Sequence, residues 1–160
     1  MTQRIAQSVT DQLTRVLVFV DRAIDGAPDA IWDGVDEAER GTWQHCAHII
    51  EALEFHFLDF TVESFQWNHE FGVDWEQFGN PRRPTKAQMH NYLQSTKERI
   101  IAKLAEVSDE EFMSEEKNAP WVGATYLDKT IYSLRHLTQH IGEINQVFAR
   151  HGVPKIEQDR

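Results

Sequence analysis

The sequence predicts an all-α chain arranged as a four-helix bundle, and three observations carry that expectation. Four long segments repeat apolar residues at steps of three and four, the period of one helix face. Residues that start or stop helices flank these segments. Sustained apolar–polar alternation and hairpin turn dipeptides are both missing, so nothing argues for strands.

The first helix is expected from about Gln3 to Ala23, with Ile5, Val9, Leu13, Val16, Val20 and Ile24 on its inner face and Gly26 and Pro28 as its stop. The second runs from Thr42, as N-cap, to about Phe60. It carries Trp43, Ala47, Ile50, Leu53, Phe57 and Phe60, and its polar strip of Gln44, Glu51 and Glu54 is narrow, which marks a deeply buried helix. The third opens after Pro84 on a capping box, Thr85 with Gln88, and presents Met89, Leu93, Thr96, Ile100 and Leu104. Ser108 and Glu111 repeat the capping pattern over a short turn, Ser108–Phe112. The fourth spans about Thr125 to His151. Leu127, Ile131, Leu134, Ile141 and Phe148 form its stripe, Leu137, Ile144 and Val147 widen it, and Gly152 and Pro154 end it.

A chain of 160 residues fits one domain, here residues 1–160, and its 41% apolar content suits a packed core. A formal net charge of −10 disfavours nucleic acid and anionic membrane as partners. The only basic cluster, Arg82–Arg83, is too short for a binding stripe. No apolar run reaches the roughly 20 residues of a membrane span, and the polar N-terminus lacks a signal-peptide core, so a cytoplasmic protein is expected. The single cysteine, Cys46, lies among bulky apolar residues and is expected to pack rather than react.

Two connections are long. The link Thr61–Pro84 is rich in aromatics (Phe65, Trp67, Phe71, Trp75 and Phe78) and permits a crossover between the second and third helices. The link before the fourth helix holds Pro120 and Trp121. Such links serve either as pocket walls or as caps on one end of a core.

The sharpest local signal is His136-Leu-Thr-Gln-His140. Histidines four apart stand on one helix face within reach of a shared metal ion. They fall beside Ser133, Leu137, Ile144 and Val147, at the margin of the apolar arc, which also suits two ordinary boundary histidines. A third ligand would come from the second helix, where His45, His48 and His56 all qualify and periodicity does not choose among them. His69 and His90 read as isolated loop or surface residues, and His151 as a favourable charge at a helix C-terminus. Scattered acidic residues show no paired-carboxylate pattern.

The segment Trp43-Gln-His-Cys-Ala-His48-Ile-Ile-Glu-Ala resembles the second helix of the DinB/YfiT-like superfamily, and Leu134-Arg-His136-Leu-Thr-Gln-His140-Ile-Gly-Glu-Ile-Asn resembles its fourth. Helix order, chain length and the long second link extend the likeness over most of the chain. The resemblance implies an up-down-down-up bundle that binds one divalent ion, nickel or zinc, on His48, His136 and His140. Three neutral imidazoles leave a tetrahedral ion one open position, for water in a hydrolase or for a small thiol co-substrate in a transferase. The alternative expectation is a non-catalytic metal- or ligand-binding stress-response protein; a homodimer is expected in either case. Glu143 departs from the family's usual glutamine: facing the metal it would add a negative charge, and facing out, as periodicity suggests, it would be a solvated residue.

Overall fold

The computed structural model describes residues 4–34, 39–77 and 83–157. Among them the chain forms six helices and no strand: α1 (Arg4–Gly26), α2 (Asp29–Trp32), α3 (Thr42–Phe57), α4 (Lys86–Glu106), α5 (Asp109–Phe112) and α6 (Tyr126–Arg150). The four long helices match the four periodic segments. Gln3, Phe78 and Arg82 lie outside the described residues, while Arg83 pairs with Asp33 at 2.7 Å.

Local chemistry sets the boundaries. Thr85 and Ser108 cap α4 and α5 as expected, each accepting a backbone N–H from the third helical residue. Thr42 is not the cap of α3. Gly41 takes that place, its N–H donating to Gln44 Oε1 at 2.8 Å, while the Thr42 hydroxyl donates to the Ile31 carbonyl at 3.2 Å. The reason is α2, a single turn too short to show a period, which packs its end against the start of α3. Trp32 Nε1 also donates to the Pro84 carbonyl at 2.9 Å, tying α2 to the entry of α4.

The four long helices share one core. Leu13, Leu17, Val20 and Ile24 of α1 meet Ile50 and Leu53 of α3, Met89, Ile100 and Leu104 of α4, and Leu137, Ile144 and Phe148 of α6. Cys46 is fully buried there, and burial pushes its thiol pKa up, so it packs rather than reacts. Ile131 departs from the expected stripe and is 57% exposed. At about 100° per residue it lies roughly 140° round the helix from Ile144, so both cannot face the core.

Polar pairs give the directions. Ile5 N–H meets Asp109 at 2.9 Å while His90 lies between Asp21 and Asp25, so α1 and α4 run oppositely. Glu54 sits opposite Tyr92 and Thr96, and Asp59 opposite Lys103, so α3 and α4 run the same way. Across α3 and α6, His45 faces Glu143 and His56 faces Tyr132, so these two are antiparallel. None of the described helices is long and apolar enough to cross a membrane.

Two glycines test this packing. A Cβ on Gly41 would fall on the Trp32 carbonyl oxygen and within 2.8 Å of the Asp33 carbonyl carbon, whereas one on Gly142, inside α6, meets nothing within 4 Å. Urea denaturation should show Gly41→Ala losing about 1–3 kcal/mol to backbone clash and Gly142→Ala gaining about 0.5–1 kcal/mol from helix propensity.

Candidate metal centre

The interface between α3 and α6 is lined by imidazoles. Three turns of α3 carry His45, His48 and His56, and the facing turns of α6 carry Tyr132, His136, His140 and Glu143. Antiparallel packing brings the middle of one helix against the middle of the other, so residues 88 apart in sequence meet: His48 Nε2 and His136 Nε2 are 3.2 Å apart. His140 closes the group, its ring centroid 4.7 Å from that of His48 and 4.5 Å from that of His136. One ring nitrogen from each of the three lies within 4.8 Å of the others.

The donor set fits a divalent ion. Ligands at about 2.0–2.1 Å in a tetrahedron are separated by roughly 3.3 Å, close to the spacing of the first two nitrogens. The third ring is already oriented: His140 Nδ1 is bonded to Glu143 Oε2 at 2.7 Å, which leaves Nε2 buried with no hydrogen-bond partner. A carboxylate on the far nitrogen is the usual way a protein fixes the tautomer and direction of a metal-binding histidine. Glu143 therefore does more than the solvated residue its periodicity suggests. Its side chain keeps partial solvent contact while its oxygen reaches one turn back to His140. His48 Nδ1 is also buried without a partner, and its ring is held instead by stacking on Trp75 at 3.8 Å.

Burial sets the charge state. Desolvation depresses His48 and His56 to a pKa of about 3, and His45 and His136 to about 4, with the proximity of other rings adding to the shift at His48, His56 and His136 and Glu143 opposing it at His45 and His136. All four are neutral at pH 7, the form that binds metals.

A second donor set, His45, His140 and Glu143, shares His140 with the first. Here His45 Nδ1 lies 3.5 Å from Glu143 Oε2, but the His140 nitrogen facing that carboxylate is already hydrogen-bonded to it. Each set includes a buried nitrogen without a partner, His140 Nε2 in the first and His45 Nδ1 in the second, and the first set leaves the bond between His140 and Glu143 intact. His56 joins neither set; its ring lies 5.4 Å from Tyr132 and 6.3 Å from His136. His69 and His90 are less isolated than their sequence positions suggest, since His69 Nε2 lies 3.1 Å from Glu54 and His90 lies between two aspartates. His151 caps α6 and pairs with Glu39 at 2.6 Å.

The strip of Gln44, Glu51 and Glu54 on α3 is buried rather than solvated, and it fastens the long link that covers the site. The Gln44 amide donates to the carbonyls of Trp75 and Gln77, both at 2.8 Å. Glu51 accepts the backbone N–H groups of Asn68 and His69. Glu54 accepts from Tyr92 at 2.5 Å, from Thr96 at 3.1 Å and from Arg99. Sequence inspection missed Glu51 and Glu54 as a buried pair. The available signal was two acids three apart on a helix otherwise apolar nearly all round. No protein-family model and no curated protein matches this chain.

Burial raises Glu51 to about 7, with Asp74 and Glu70 adding to the rise and the two backbone donors opposing it. A folded pKa above the unfolded value means that the carboxylate costs nothing below about pH 4.5, costs increasingly up to about pH 7, and costs fully above it. Glu51→Gln should therefore raise the melting temperature clearly at pH 8, by about 1–3 kcal/mol in stability, and hardly at pH 4.5. Equal effects at both pH values would contradict the assignment.

Proposed function

We propose that this chain is a metal-dependent enzyme of the DinB/YfiT-like kind, with one divalent ion, nickel or zinc, held by His48, His136 and His140. The observation that carries the reading is the convergence of three ring nitrogens: two lie 3.2 Å apart, and the third is buried without a partner while its other side is fixed by Glu143. The helix directions support it as well. With α1 opposite to α4, α4 along α3, and α3 opposite to α6, the order is up-down-down-up.

Each residue of the site has a task. His48, His136 and His140 would supply the nitrogen donors. Glu143 holds the Nδ1 proton of His140 and so presents Nε2. Trp75 packs against the His48 ring and keeps water from one side of it. Held there, a divalent ion would supply Lewis acidity toward water or a thiol. The reaction class is hydrolysis or thiol-dependent transfer to a small electrophile. The two differ in one readout: turnover of an activated ester without added thiol marks the hydrolase, and strict thiol dependence marks the transferase.

Protein purified without an affinity tag should hold close to one metal per chain by elemental analysis, and a chelator should lower its melting temperature. Alanine at His48, His136 and His140 together should abolish the metal, and an unchanged metal content in that variant would overturn the reading. Glu143→Gln should weaken metal affinity about 10–100-fold in a competition titration without removing it.

A further inference from the structure

Outside the main core a second apolar cluster forms, and it does not serve the helix packing. It contains Phe55, Phe65 and Ala119, with Phe60 and Val122 against it. Two tryptophans from two different links lean on it. Trp67, from the link after α3, sits 5.7 Å from the Phe55 ring and 4.8 Å from Phe65. Trp121, from the link before α6, stacks on Phe55 at 6.3 Å and 8°. Both are exposed, at 44% and 61%. Two large rings left in water over a shared apolar floor make a patch rather than scattered surface residues.

This wall adjoins the metal centre. Trp67 lies nearly parallel to the His48 ring at 6.0 Å and 24°, so an aromatic row runs from a candidate ligand outward through Trp67 and Phe55 to Trp121.

The two indoles are also held in place from below. Beside Trp67, the backbone N–H groups of Asn68 and His69 are taken by the buried Glu51. Beside Trp121, the N–H groups of Asn118 and Ala119 donate to Glu116 Oε1 at 2.6 and 2.8 Å, and Glu116 Oε2 pairs with the buried Lys129 at 2.7 Å. Two buried carboxylates thus fasten the two segments that carry exposed tryptophans. Such fastening lowers the ordering cost of binding a ligand on them.

We propose that the substrate is a small molecule with an aromatic ring and an anionic oxygen or sulfur donor, its ring lying along Trp67, Phe55 and Trp121 and its donor directed at the metal centre. This rests on the metal reading above. The anionic end follows from the double charge that neutral imidazoles leave uncompensated. The aromatic end follows from the exposed indoles, whose faces gain most from another ring.

The test compares 2-naphthohydroxamic acid with acetohydroxamic acid, which share a metal-binding head and differ in the ring. Affinities are measured by calorimetry on zinc-loaded protein whose metal content has been assayed, for the wild type, Trp121→Ala and Trp67→Leu/Trp121→Ala. The wild type should prefer the naphthyl probe by about tenfold or more. The double variant should lose most of that preference while keeping its zinc and its acetohydroxamate affinity. Zinc bound without an aryl preference, or a preference that survives in the double variant, overturns the aromatic assignment and leaves the metal centre standing. Failure of the wild type to hold zinc or nickel overturns both.

Discussion

Nε2 of His48 and Nε2 of His136 are held 3.2 Å apart at the buried seam between α3 and α6. Two lone pairs at that distance repel unless a proton or a cation lies between them. Protonating a ring is opposed, because burial holds both far below the usual histidine range. A proton shared between two neutral rings would satisfy this one contact. It would leave His140 Nε2, pointing into the same group, without a partner. A single divalent ion would satisfy all three nitrogens at once. Unpaired polar atoms in a packed interior are costly, which supports the proposed ion at this seam.

The rest of the molecule can be understood as holding that contact in place. Antiparallel packing of α3 on α6 sets the two helices turn against turn, and the core beneath them fixes their separation. Glu143 fixes the third ring. The long link after α3 brings Trp75 onto His48, and it stays there because Gln44, Glu51 and Glu54 bind its backbone and its histidine from below. Burying Glu51 opposes folding at neutral pH, and its benefit is the placement of the segment next to Trp67. The same arrangement recurs at the other link, where Glu116 binds the backbone beside Trp121.

Much of this was legible in the residues. Four apolar periods correspond to four helices, and the spacing of His136 and His140 alone marks one side of the site. The choice between His45 and His48 was not legible, for a physical reason. Nearly every residue of α3 is buried, so the helix has no solvent face against which to orient an arc. The two histidines lie three apart and both reach the α6 side, and only the register of α3 against α6 separates them. His48 meets His136, whereas His45 meets Glu143. Which way Glu143 reaches is not legible either, because periodicity locates a Cβ and not the end of a long side chain. The burial of Glu51 and Glu54 is hard to see in the sequence because acids rarely enter a core, and their partners, Asn68, His69, Tyr92 and Thr96, come from distant parts of the chain.

One ion on His48, His136 and His140 is the arrangement to test. Crystals grown from zinc- or nickel-loaded protein, with diffraction recorded on both sides of the metal absorption edge, test it most directly. The account predicts one anomalous peak within bonding distance of His48, His136 and His140, with Glu143 still on the far side of the His140 ring. A peak shared instead by His45, His140 and Glu143, or no peak at this seam, would contradict it.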